Sequence, residues 1–380
     1  MDINIGAKIV PDNCTLWRLF PGKSYRLLEA FKSTNTAFLE LPDIEIPNDD
    51  VGLTDNLLAK ILASQDLVNQ RIEHGPEHLL KSDWRDFTTQ SNSPSRGRTI
   101  QAVINFYEVA KKGDLLVVPS YKSQGEILIG EFLDDPDARM RVTGVEWYGD
   151  VAFEARNIKW FPLRSEDSIS PRLSSILRHP HPFSHIEDKL YNEILSLAYE
   201  NFIWNGKYGS VVYNGNDNFL DSDNTLVGVI FKLAAYACIA EEAGQNFIDI
   251  EDIFEFLFKN PPAEYSCHYS AESHSPGYGR YFGIKPTPIV AVTVIAGLLA
   301  LSSIADAREL KAAAQDINFV NHQNSHNAEC DPPISNAAAI VFRSLRGDQL
   351  RKACESMLES KNRAELRVRA RVAKQPPKKP

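Results

Sequence analysis

Between Gly113 and Leu163 the chain runs as short apolar segments broken by turn residues, a pattern that argues for a mostly antiparallel sheet or small barrel. Gly113-Asp114 turns into LLVVPS (115–120), and Lys122-Ser-Gln-Gly125 turns into EILIGEF (126–132), which stops at Asp134-Asp135-Pro136. TGVEWYG (143–149) and RNIKWFPL (156–163) predict two more strands. Val145 and Trp147 repeat at period two, as do Ile158 and Trp160, so each pair is expected on one face.

The preceding residues fit the same plan. Ile9-Val10, Leu16–Phe20 and Thr36–Leu41 are β-prone runs punctuated by Pro21-Gly22 and Pro42-Asp43. Tyr25, Leu28 and Phe31 have helical spacing, and a helix over 54–72 places Leu57, Leu58, Ile61, Leu62 and Leu67 on one side. A polar, locally basic loop (88–98) precedes a short helix at 99–110.

Past residue 165 the period changes. Ser170-Pro171 is an N-cap with Pro at the first helical position. Ser184 to Glu187 matches a capping box for a helix reaching Trp204. A Gly/Asn-rich loop or short hairpin (205–218) follows, then helices at 224–243, 249–259, 288–304, 306–318, 335–345 and 348–360. A chain of 380 residues is long enough for two domains. The expectation is an α+β protein: a β-rich domain over 1–165, a mostly α-helical domain over 166–360, and a tail over 361–380. That tail carries eight Lys or Arg against one Glu and is expected to be disordered.

Two blocks of the first domain carry a resemblance. LWRLFPGKSYRLLEAFKSTNTAFLEL, and Gly113-Asp114-Leu-Leu-Val117 with Ile129-Gly130-Glu131 and Arg156-Asn-Ile158-Lys-Trp160, resemble the N-terminal PUA/EVE-like domains of Mrr-type modification-dependent restriction proteins. Where that family carries an Ile-Arg-x-Gly stretch, this chain has Leu19-Phe20-Pro21-Gly22. The resemblance implies a PUA-like small barrel with flanking helices and a cleft for a flipped base or nucleotide-like ligand. Its partners would be DNA and a prokaryotic restriction or anti-phage system, with a companion protein of the same operon or a second copy of the chain.

Such a cleft needs aromatic faces for stacking and fixed donors for the base edge. Trp17, Trp147, Tyr148 and Trp160 are the aromatic candidates, with Arg18 and Arg156 for the base edge and loop residues Arg96 and Arg98 for phosphates. The formal charge of −9 argues against a wholly basic nucleic-acid surface and leaves room for a local one.

The family's usual second half is a nuclease with an Asp followed by Glu-x-Lys on adjacent strands. The triplets here, Glu187-Asp-Lys189, Glu309-Leu-Lys311 and Glu359-Ser-Lys361, lie in helical sequence, so no catalytic set is expected. A metal-dependent endonuclease remains the alternative function. A second alternative is a membrane-acting effector built on 288–305, eighteen residues without a charge, although a buried core helix is the preferred reading and a membrane is not an expected partner.

His322, His326 and Cys330 stand four apart, and Cys267, His268 and His274 cluster, without a C-x-x-C partner; no metal and no cofactor is expected. SPGYGRYFG (275–283) lacks the order of a phosphate loop and reads as a turn. Five scattered cysteines and a start without signal-peptide character point to the cytoplasm.

Overall fold

In the computed structural model the described residues are 1–46, 55–75, 83–87, 94–119, 125–179, 181–248, 256, 258–272, 277–322 and 331–373. They form a mixed α+β protein whose chain divides into two units: residues 13–198, and residues 1–12 with 199–380. The division differs from a boundary at 165 at both ends. The chain opens in the second unit with β1 (Asp2–Asn4) and β2 (Lys8–Ile9), and enters the first at β3 (Leu16–Leu19).

In the unit 13–198, β3 is followed by α1 (Leu28–Thr34), β4 (Thr36–Ala37), α2 (Asp55–His74) and α3 (Pro94–Ile104). The strand-rich run 113–163 then supplies β5 (Leu115–Val118), β6 (Glu126–Phe132), β7 (Met140–Val142) and β8 (Phe153–Trp160), with β9 (Arg164–Ser165) just beyond it. The sheet order is β10-β3-β5-β6-β8-β4, where β10 is Phe183–His185. Only β3 and β5 run parallel in it, with Leu16 opposite Leu115; the other pairs among the described residues are antiparallel. All four residues of β5 are buried, as a strand covered on both faces requires.

Gly130 explains the Ile-Gly-Glu strand. It faces Trp160 across the ladder, and a Cβ there would lie 2.3 Å from Ile158 Cγ2 and 2.7 Å from the Trp160 ring. Only glycine lets both side chains cross β6. Phe31, Phe38, Phe106, Phe132, Phe153 and Phe183 fill the core, each contributing about 2–3 kcal/mol of burial.

Three expectations change in this unit. Its core extends past 165 through α4 (Pro171–Leu177) to β10, because Phe183 is buried against Trp17 (ring centroids 4.8 Å) and pairs with Leu19. The Ser184 capping box is therefore not formed; Ser184 and His185 are strand, and α5 begins at Tyr191 (Tyr191–Tyr199). The segment 143–149 is a turn and not a strand. Gly144 (φ 76°) and Gly149 (φ 57°) take left-handed backbone, and Tyr148 N–H donates to Val145 O at 2.7 Å. Val145 and Tyr148 are buried while Trp147 projects outward.

The second unit is not mostly helical. β11 (Phe202–Trp204), β12 (Lys207–Asn214), β13 (His268–Glu272) and β14 (Gly277–Gly283) form a sheet of order β13-β14-β12-β11-β2. The segments expected as a Gly/Asn loop and a SPGYGRYFG turn are largely the paired strands β12 and β14, from Tyr208 opposite Gly283 to Asn214 opposite Gly277. Packed on these strands are α6 (Asp221–Glu242) and α7 (Thr287–Leu301), with α8 (Ala307–Gln315), α9 (Pro332–Ser344) and α10 (Gly347–Ala364) around them.

α7 is the buried helix expected near 288–304. Every residue from Thr287 to Leu298 is buried, and Gly297 has no side chain where the Phe342 ring of α9 approaches. At 15 residues it is shorter than a bilayer span; α6 is long and apolar enough by composition, and 56% of its most apolar stretch is buried inside the protein.

The basic C-terminal segment is ordered through Ala373, against expectation. β16 (Arg367–Val368) pairs with β12 and β17 (Arg371–Val372) with β1, while β15 (Asn318–Val320) flanks β1 on its other side. Leu366 and Ala370 are buried between exposed arginines, so alternation, and not bulk composition, decides this segment.

Candidate functional site

The sequence-predicted site residues separate into two groups, and most are fastened inside the core. Trp17 donates its Nε1–H to Asp114 Oδ2 at 2.9 Å; Asp114 also accepts from the backbone N–H of Thr15 (2.8 Å) and Lys111 (3.1 Å). Burial pushes the Asp114 pKa up, opposed by these three donors. This buried clamp is the structural role of the Gly-Asp motif.

Arg18, 1% exposed, donates to the carbonyl oxygens of Ile176 (3.1 Å), His179 and His181 (2.9 Å), closing the C-terminal end of α4. Arg156 is fully buried and donates to the carbonyls of Phe106 (2.9 Å), Ala110 (2.5 Å) and Asp134 (2.6 Å). Desolvation lowers both guanidinium pKa values to about 10, which leaves them charged at neutral pH. Trp160 donates to Phe31 O at 2.9 Å and packs partly buried beside that ring. Arg98 is exposed on α3; Arg96 is helical, with its side chain outside the described residues.

Trp147 and Tyr148 share one turn, with Trp147 at the surface and Tyr148 buried beneath it. Trp147 is 36% exposed, and the Arg26 guanidinium lies 5.0 Å from its ring centroid. Next to it Tyr148 is buried and donates its hydroxyl to Glu40 Oε1 at 2.8 Å. Glu40 Oε2 accepts the Lys23 N–H at 2.8 Å, and Arg26 Nε stands 3.3 Å from Oε1. From α2, Arg71 donates to Trp147 O at 2.6 Å and stacks on the Tyr148 ring at 5.4 Å.

Burial drives the Glu40 pKa upward, against the pull of Lys23, Tyr148 and Arg26. Burial, reinforced by the Glu40 charge, raises the Tyr148 phenol as well, so that it stays a donor.

A strained turn holds this cluster. Gly22 (φ 73°) has no side chain where the Glu40 carboxyl lies 2.8 Å from a would-be Cβ, and Ser24 and Tyr25 are left-handed at 57° and 59°. Two successive non-glycine residues in that region cost about 1–2 kcal/mol each, a strain that collects at binding sites. Arg26 Nη1 and Arg71 Nε are buried without a hydrogen-bond partner. Arg18 Nε and Arg156 Nε in the core are left unmatched as well, so these atoms do not by themselves mark a site.

Glu40, Arg26 and Arg71 were not singled out in the sequence. Glu40 is a lone carboxylate inside Phe38-Leu39-Glu40-Leu41, and Arg71 shares an apolar face with Val68 and Ile72; both patterns are visible signals of a buried charge.

The Glu-x-Lys triplets do not assemble. Glu187 pairs with Arg172, Glu359 with Arg363, and Lys311 Nζ donates to the carbonyls of Phe342 and Arg343 at the end of α9. Among the described residues no three His, Cys, Asp or Glu side chains stand where they could hold a metal ion. His274, His326 and Cys330 lie outside the described residues. Comparison of the chain with protein-family models, curated proteins and solved structures finds no match.

Proposed function

We propose that the protein recognises nucleic acid by stacking one unpaired or extruded base on Trp147, in the prokaryotic restriction or anti-phage setting that the family resemblance implies. The observation that carries this reading is a partly exposed tryptophan set over a buried Glu40–Tyr148–Arg26 network. Stacking on such a ring contributes about 1–3 kcal/mol per base. Glu40 and Arg26, beside the Trp147 turn, bring a carboxyl and a guanidinium suited to a base edge. The net charge of −9 makes phosphate attraction a local matter, for which exposed Arg98 is the described candidate.

Fluorescence anisotropy with single-stranded and duplex oligonucleotides, modified and unmodified, tests the proposal. Binding that Trp147→Ala weakens about tenfold or more, with an unchanged circular-dichroism spectrum, supports it. No affinity for any oligonucleotide at low salt, or affinity indifferent to Trp147, rejects it.

A further inference from the structure

The glycine-rich run that becomes β14 also floors a cavity of about 300 Å³, in the unit formed by residues 1–12 with 199–380. It lies between the β12-β14-β13 sheet and the first turn of α6. Its volume suits a small ligand. Strand register puts Val212, Ala271 and Gly279 on one face, together with Tyr269 and Tyr281. Gly279 makes room for both tyrosine rings: a Cβ there would stand 3.0 Å from each. Tyr281 is backed by Phe231, stacked at 3.7 Å, while Tyr269 is 53% exposed. Phe219, from the loop before α6, with Tyr213 and Tyr278, completes the aromatic lining.

The charge of the lining selects the ligand. Asp217 and Asp221 are exposed on the cavity wall, Asn214 and Asn224 add amides, and among the described residues no Lys or Arg lines it. Asp223, two residues further along α6, is already engaged by Leu220 N–H (2.8 Å), Ser360 Oγ (2.6 Å) and Arg363, so it closes the helix start rather than serving the cavity. An anion would meet two carboxylates here, whereas an organic cation meets aromatic faces and counter-charges together. Two of the lining tyrosines already hold cations of the protein itself: Arg280 lies 4.1 Å from the Tyr278 ring centroid and Arg367 4.4 Å from that of Tyr213.

We infer that this cavity binds the ammonium head of a small alkylammonium compound. Calorimetric titration of the full chain with choline, and with its uncharged carbon isostere 3,3-dimethylbutan-1-ol, separates charge from shape. Choline is expected to bind about tenfold tighter than the isostere. Asp217→Asn with Asp221→Asn should bring choline down to the isostere's affinity, and Tyr269→Ala should weaken it too, with the thermal midpoint of each variant as the folding control. Absent choline binding, equal affinity for the two probes, or adenosine binding that choline does not displace and the Asp variants do not alter, would each overturn the inference.

Discussion

Tyr148 holds Glu40 by a 2.8 Å hydrogen bond across 108 residues of sequence, joining the strained Gly22–Arg26 turn to the turn that displays Trp147. The bond gives the two neighbouring aromatics different roles. Tyr148 fixes the turn, and Trp147 is the exposed face of the proposed site.

Replacing the two separately should therefore give different results. Tyr148→Phe removes a buried donor from a carboxylate and is expected to cost about 1–3 kcal/mol in urea unfolding. Trp147→Ala should leave the urea midpoint nearly unchanged and lower oligonucleotide affinity. Equal stability losses in both variants would contradict this division.

Glu40 and Asp114 both have pKa values raised by burial, so the folded state binds protons more tightly than the unfolded chain. Their contribution to stability is then fully present below the unfolded value of about 4 and is lost as pH rises through the folded value. Comparing Tm against pH for the native chain and Glu40→Gln isolates the first group. The variant should gain on the native protein as pH rises from about 4 towards neutrality.

Arg18 is expected to act on stability and not on binding. Arg18→Ala removes a buried donor shared by three carbonyls at and after the end of α4, two of which keep backbone donors, and should cost about 1–3 kcal/mol in chemical denaturation. Measured where the variant is folded, its oligonucleotide affinity should match that of the native protein.

Gly130→Ala should be among the most damaging single-methyl changes in the unit 13–198, because Ile158 and Trp160 occupy the space of the new Cβ. About 2 kcal/mol or more is expected, read as a lowered Tm. A neutral outcome would mean that β6 and β8 can part without consequence.

The thiols of Cys14, Cys238, Cys267 and Cys354 are pushed up to about 12, burial being the main cause. With an aromatic disulfide reagent at pH 8, these four should react slowly in the native protein and quickly in denaturant.

Much of the strand pattern was legible because it is local. LLVV and EILIGEF are antiparallel neighbours a few residues apart in the chain, and an uncharged run such as 288–304 has to be buried somewhere. The same locality misled the reading of 143–149, where two glycines with left-handed backbone turn an apparent period of two into a turn. It misled the C-terminus as well, where abundant arginine hid the alternation of Leu366, Val368, Ala370 and Val372.

The sequence by itself determined that residues 115–118 and 126–132 are paired strands, that a buried helix follows Lys285, and which aromatic and basic residues are available. Tertiary structure alone decided what those residues do. Side-chain type does not say whether an arginine meets a helix end or a ligand; Arg18 and Arg156 meet carbonyls because distant segments bring those acceptors to them. Glu40, Arg26, Arg71 and Trp147 become one site through contacts between distant parts of the chain, such as the bond from Arg71 to Trp147 across 76 residues. In the same way Met1–Asp12 joins residues beyond 199 through β1 and β2. Such long-range closures are set by the packing of whole elements, which no local period encodes.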